Sequence, residues 1–244
     1  MEETYSGIYR MPARIRFSET DEHLNLSLYG LLNYFQDIAT FHGEDVGFGM
    51  DENRKNGVAW VVADLQMKVF RYPKATEKVI VSTWPKSFKG MIGLREYSIE
   101  TADGEVLAIA SSNWVLMDLE HGIPAKISEE MKSAFGVCPD HCFSEDLGKR
   151  RIRISGEGQA AADIRILESH LDANGHMNNA QYVRLAARLL PQNCRVTGLR
   201  CEWKKQAFLD DVMHTRVLEQ DGKTYIRFLA EDGEVYFVCE CTHA

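Results

Sequence analysis

The segment His170-Leu171-Asp172-Ala173-Asn174-Gly175-His176-Met177-Asn178-Asn179-Ala180-Gln181-Tyr182 sets a carboxylate, a carboxamide and an imidazole at alternate positions: Asp172, Asn174 and His176. It lies between a short strand pattern, Asp163 to Leu167, and a helical pattern that begins near Asn179. Gly175 permits a backbone turn that other residues resist, and Asn178 or Asn179 suits the helix cap. N–H groups at a helix start have no helical acceptor, so they can polarise a carbonyl and hold an oxyanion. An imidazole beside them can take a proton from water near neutral pH. Asp172 and Asn174 can orient the water and the ring. Such a set suits hydrolysis of a thioester and calls for no metal and no organic cofactor. Asp and Asn ahead of a helix are also common as turn and cap residues, so spacing alone leaves a structural role open.

The elements that must position this set occur twice. Leu28, Leu31, Leu32, Phe35, Ile38, Ala39, His42 and Val46 follow helical spacing. Asn25 or Ser27 is suited to start that helix, and Gly47 and Gly49 to end it. Strand patterns follow at Asp64 to Val69, Val79 to Trp84, Leu94 to Glu100 and Val106 to Met117, with Pro73 and Pro85 setting off the second. Asp103-Gly104 reads as a hairpin turn. The second half repeats the order: a helix from about Asn179 to Leu190 stopped by Pro191, strands at Val212 to Val217, Tyr225 to Ala230 and Val235 to Cys241, and a turn at Asp232-Gly233. One antiparallel sheet wrapped around one long helix satisfies each half. The expected class is therefore α+β, a tandem (double) hotdog. The expected divisions are a first half at 1–135, a linker at 136–160 carrying the basic run Lys149-Arg150-Arg151-Ile152-Arg153, and a second half at 161–244 that bears the site.

Composition sets further limits. The 244 residues are 45% hydrophobic and 26% charged, with a net charge of −8. That balance argues against non-specific nucleic-acid binding, which needs a basic surface. No apolar run reaches the length of a membrane helix, and Met1 to Arg10 is too polar for a signal peptide, so the cytosol is the expected compartment. There the cysteines, Cys138, Cys142, Cys194, Cys201, Cys239 and Cys241, are expected as free thiols. Cys138-Pro-Asp-His141-Cys142 lacks the spacing of a paired zinc knuckle. Cys239 and Cys241, two apart on a strand pattern, read as small buried hydrophobes.

Asp172-Ala-Asn174-Gly-His176-Met-Asn178-Asn179 with Tyr182 resembles the Asp-x-Asn-x-His-x-Asn-Asn segment of plant and bacterial acyl-(acyl carrier protein) thioesterases. The resemblance extends over nearly the whole chain. It takes in Ser18-Glu19-Thr20-Asp21, Tyr34-Phe35-Gln36-Asp37, Phe70-Arg71-Tyr72-Pro73 and Ala110-Ser111-Ser112-Asn113-Trp114-Val115. It implies that Asp172, Asn174 and His176 are catalytic, that the helix start at Asn178 and Asn179 serves the oxyanion, and that the first half shapes an acyl pocket. It implies hydrolysis of acyl-carrier thioesters to free fatty acid, with no metal and no cofactor. The acidic carrier protein would dock on basic residues, Lys204, Lys205, Arg184 and Arg188 together with Lys149, Arg150 and Arg151. The family carries Glu-Cys where this chain has Gln206-Ala207. Gln206 can orient water or substrate but cannot act as a base, and Ala207 cannot be a nucleophile. The first half offers Asp21, His23 and Asn25 at the matching places and does not repeat the trio, so one site per chain is expected. An acyl-coenzyme A thioesterase and a non-catalytic acyl-binding protein are the alternatives. A homodimer is compatible with the pattern.

Overall fold

The computed structural model describes residues 7–141, 143, 145–191 and 194–244. Two compact units emerge: one from the chain up to Ala63 together with Val69–Leu147, the other from Asp64–Lys68 together with Gly148–Ala244. Cys142 lies outside the described residues.

In the first unit, helix α1 spans Leu28–Asp45, and Ser27 Oγ caps it by accepting the Gly30 N–H at 3.2 Å. Its apolar face, with Leu31, Leu32, Phe35, Ile38 and His42 buried, lies against strands β1 (Tyr9–Arg14) and β3 (Lys78–Lys89). Gly47, at φ +80°, lets the chain leave the helix sharply. The strand order is β1-β3-β4-β5-β2, with β2 at Val58–Val69, β4 at Ile92–Thr101 and β5 at Val106–Asp118. Pro85 does not end its strand as expected. β3 continues through it because the register to β4 shifts between Pro85 and Ser87, and a bulge tolerates the missing N–H. Two short helices went unread in the sequence: α2 (Met50–Lys55) and α3 (Glu129–Phe135). α3 is capped by Ser128 and buries Met131 and Phe135 with Leu116 and Ile127.

The second unit has the order β8-β11-β10-β9-β6, with β8 at Val196–Trp203, β9 at Val212–Gln220, β10 at Lys223–Leu229 and β11 at Val235–His243. Residues 64–68 of β2 pair antiparallel with β8, from Asp64 opposite Glu202 to Lys68 opposite Gly198. The pattern at Asp163 to Leu167 yields only the two-residue strand β7 (Ile164–Arg165), and β6 (Gln159–Ala160) precedes it; both pair with β9. Helix α4 runs Asn179–Ala187, short of the expected Leu190. Its last bonds reach back three residues, from Arg188 to Leu185 and from Leu189 to Ala186, and Pro191 follows. α4 packs on β11. Tyr182 is buried with Phe228 and Phe237, ring centroids 6.4 and 5.4 Å away. Each such ring removed from water stabilises the unit by about 1.5–3 kcal/mol. Cys201, Cys239 and Cys241 are buried free thiols, and burial holds the Cys201 thiol well above its ordinary range.

Candidate active site

The site begins as a turn. After a short 3-10 segment, Glu168–His170, Leu171 and Met177 form an isolated antiparallel bridge that pinches residues 172–176 into a loop. The Asp172 N–H donates to the His176 carbonyl at 2.8 Å, and the Gly175 N–H to the Asp172 carbonyl at 3.0 Å. Asp172 Oδ1 accepts the Asn174 N–H at 2.8 Å and the His176 N–H at 3.4 Å. Gly175 takes φ +75°, the one position here where glycine is favoured for its backbone. Asp172 thus holds the backbone of His176. Among the described residues no hydrogen bond joins the Asp172 carboxylate to the imidazole.

The helix start comes next. Asn178 is the cap, its Oδ1 accepting the Ala180 N–H at 2.8 Å and its carbonyl the Gln181 N–H at 2.9 Å. The Asn178 N–H is itself committed to the His170 carbonyl at 2.9 Å. Asn179 N–H has no acceptor among the described residues, so of the two backbone N–H groups it is the one still able to donate. His170 accepts the Leu167 N–H at Nδ1, 3.2 Å away; burial and then the Arg184 charge hold its pKa below the ordinary value.

A second segment, Lys204 to Phe208, is fastened onto the turn. The Met177 N–H donates to the Ala207 carbonyl at 2.9 Å, and the Phe208 ring meets the His176 ring edge-on, centroids 5.0 Å apart at 84°. The Tyr182 hydroxyl accepts the Ala207 N–H at 3.0 Å and reaches the Lys205 carbonyl at 3.5 Å. Gln206 lies between those two anchors with its side chain exposed, and it makes no hydrogen bond to Asp172, Asn174 or His176.

The basic candidates fall into three groups. Lys204 pairs with Glu202 at 2.7 Å and Lys205 with Glu234 at 2.5 Å, so each ammonium already has a carboxylate. The hydrogen bond that Lys205 donates to Glu234 raises the Lys205 pKa above its ordinary value. Arg184 and Arg188 are exposed at the far end of α4, four residues apart and hence on one face. In the linker run, Arg150 pairs with Asp64 at 2.5 Å, and the Ile152 N–H donates to Glu202 at 2.6 Å. Among the described residues no group of three or more His, Cys, Asp or Glu side chains is arranged to hold a metal ion. No helix there is long and apolar enough to cross a membrane.

The first unit builds the same turn from other residues. Thr20 bridges Leu26, the Asp21 N–H donates to the Asn25 carbonyl at 2.8 Å, and Asp21 Oδ1 accepts the His23 and Asn25 N–H groups at 2.9 Å each. Leu24, at φ +58°, occupies the place of Gly175, and the Leu26 N–H donates to the Pro73 carbonyl as Met177 does to Ala207. Asn25, where the second unit has His176, is 6% exposed and has no titratable group. Sequence reading missed the Tyr182 hydroxyl and Phe208. The available signal was a tyrosine on a buried helix face, whose hydroxyl must find a partner.

The fold and this turn define a tandem hotdog with a polar trio ahead of its second helix. A family model described as the acyl-ACP thioesterase N-terminal domain matches residues 7–135, and the chain belongs to the acyl-ACP thioesterase family. Among its relatives is oleoyl-acyl carrier protein thioesterase 2, chloroplastic, of Arabidopsis thaliana, 25% identical over 233 residues that cover 87% of this chain and 63% of the relative. Another is the palmitoyl-acyl carrier protein thioesterase, chloroplastic, of Gossypium hirsutum, 29% identical and covering 86% of this chain and 54% of the relative. The chain thus spans only about three fifths or less of the length of these curated relatives. Among solved structures, an acyl-ACP thioesterase from Bacteroides thetaiotaomicron VPI-5482 superposes with a TM-score of 0.88 at 21% identity, covering 98% of both chains. The 12:0-ACP thioesterase from Umbellularia californica does so at 0.83 and 20%, again over 98% of both. At that identity these two establish the fold alone.

Proposed function

We propose that this chain hydrolyses the thioester between a fatty acyl group and an acyl carrier protein, releasing free fatty acid and the carrier thiol. The observation that carries the reading is the pinned turn, which sets His176 three residues ahead of the unpartnered Asn179 N–H at a helix start. His176 takes a proton from water, and the resulting hydroxide attacks the thioester carbonyl. The Asn179 N–H donates to the oxyanion that forms. The tetrahedral intermediate then breaks its C–S bond, and the imidazolium returns its proton to the departing thiolate. Asn174 orients water or ring, and Asp172 acts by holding the turn. Gln206 holds water as donor and acceptor at once. With Ala207 in place of cysteine, no nucleophilic side chain takes part at that position.

In this reading residues 161–244 are the catalytic half, residues 1–135 shape the acyl pocket, and Arg184 and Arg188 steer the acidic carrier. The names of the curated relatives support the carrier protein over coenzyme A. The cytosol is the compartment of this reading, whereas the plant relatives are named as chloroplastic. A non-catalytic acyl-binding role is the second reading, favoured by Gln206 where the family has Glu. Thiol release from a panel of acyl-carrier proteins and matched acyl-coenzyme A substrates decides among these. Turnover with higher kcat/KM on the carrier protein is expected; binding without thiol release overturns the hydrolase reading.

A further inference from the structure

Gln206 is exposed and its side chain makes no hydrogen bond among the described residues, yet the proposed reaction asks it to hold a water in one place. What fixes it must therefore be its backbone. The residues on either side of it meet at one atom, the Tyr182 hydroxyl, which accepts the Ala207 N–H at 3.0 Å and reaches the Lys205 carbonyl at 3.5 Å. Ala207 is fully buried and Tyr182 is 2% exposed, so no water can replace that hydroxyl. The phenol is held by its ring, which packs against the neighbouring Phe237 and Phe228 rings of β11 and β10. The Lys204 N–H donates to the Tyr236 carbonyl at 2.9 Å and the Phe208 N–H to Asp211 Oδ2 at 2.9 Å, which hold the segment's ends. The Lys205 N–H also reaches the Tyr236 carbonyl at 3.3 Å and the Ala207 carbonyl holds the Met177 N–H at 2.9 Å, so the phenol supplies the remaining anchors beside Gln206, at the Lys205 carbonyl and the Ala207 N–H. Tyr182 is the fourth residue of α4, one turn beyond the cap Asn178, so the helix that presents the Asn179 N–H also carries the clamp on Gln206.

From this geometry we infer that Tyr182 is a positioning residue: it sets Gln206 relative to His176 by bridging the backbone on both sides of Gln206. The inference rests on the hydrolase reading and deepens it. A phenol that merely filled the core would act on stability and leave turnover alone.

The test is a double-mutant cycle on kcat with oleoyl-acyl carrier protein as substrate, using wild type, Tyr182→Phe, Gln206→Ala and the double variant. Tyr182→Phe keeps the ring and removes the bridging oxygen. It is expected to lower kcat about tenfold or more, since small misplacements of a positioning group are costly, while KM moves less than about twofold. In the Gln206→Ala background the same change is expected to lower kcat less than about twofold, because the group it positions is gone. Amide hydrogen exchange gives a readout independent of turnover: exchange at Ala207, whose N–H the phenol holds, speeds up in Tyr182→Phe while that of β10 and β11 stays as in wild type. Additive losses, an unchanged kcat, or unchanged exchange at Ala207 each overturn the inference. So does a Tyr182→Phe protein that fails to fold, which assigns the hydroxyl to stability alone. With an active wild type these outcomes leave the His176 assignment standing, whereas a wild type that releases no thiol overturns both.

Discussion

Asp172 can be tested so that its two conceivable roles part company. One of its oxygens accepts two backbone N–H groups, at 2.8 and 3.4 Å, and so closes the turn that carries His176. The other oxygen makes no hydrogen bond among the described residues and could in principle face a water. Asp172→Asn keeps an acceptor oxygen for the turn and loses the charge; Asp172→Ala loses both. A hydrogen bond to a charged group is worth about 1.5–3 kcal/mol, and the 3.4 Å bond adds little, so Asp172→Ala should lose about 2 kcal/mol. For a chain of this size that lowers Tm by roughly 4–8 °C. Because the turn then no longer holds the imidazole, kcat should fall by about a hundredfold or more. Asp172→Asn should melt within about 2 °C of wild type and keep kcat within about tenfold. The measurements are calorimetric melting and steady-state thiol release for the three proteins. An Asp172→Asn protein that melts like wild type but is as inactive as Asp172→Ala would refute the argument and make the carboxylate itself a participant in the proton transfer.

His176→Ala should lower kcat by several orders while the far-ultraviolet spectrum and Tm stay close to wild type; near-normal turnover removes the assignment. Gln206→Glu should retain activity and move the acid limb of the kcat/KM profile to higher pH, because a carboxylate beside the ring favours its protonated form; a profile identical to wild type would show that Gln206 lies away from the reacting water. Reversing Arg184 and Arg188 to Glu should raise KM for the carrier substrate and flatten its salt dependence, and an unchanged KM and salt response would place docking elsewhere. In the first unit, His42 is fully buried beside Arg95, with 3.0 Å from its Nδ1 to the guanidinium; burial first, and then the Arg95 charge, push its pKa down to about 3. Between that value and the unfolded value of 6.5 the unfolded chain binds the extra proton, so this site lowers stability as pH falls through that window. His42→Gln should flatten the loss, read as Tm against pH from 7 to 4, where one proton accounts for at most about 1.4 kcal/mol per pH unit.

What could be read beforehand follows from how local each signal is. The α1 face, the Asp-Gly hairpins and the Asp172 to His176 turn are written in residues within a few positions of one another, and each was legible. β8 was not, because Gly198, Arg200 and Glu202 are poor strand formers taken alone. It is held by ladders on both sides and by the Arg200–Glu240 pair, whose partners lie directly opposite on β11. Pro85 misled for the same reason, since its strand survives through a bulge set by β4. At the site, the trio stood out by type and spacing. The attachment of residues 204–208 could not, because the hydroxyl that clamps them is supplied from residue 182 through contacts only the folded chain makes.

The second unit is not one continuous stretch of chain, since it takes in Asp64–Lys68 from the later half of β2. During synthesis those five residues are made long before their partner β8, and the pairing from Asp64–Glu202 to Lys68–Gly198 closes a loop of well over a hundred residues. Loop closure on that scale slows folding far more than it weakens the finished structure. Until the loop closes, β8 has an open edge, with unpaired N–H and C=O groups able to recruit a strand from another chain. A fragment starting near Gly148 would keep that edge open permanently. It should aggregate as expressed, and a peptide spanning residues 64–68 supplied in trans should raise its soluble yield.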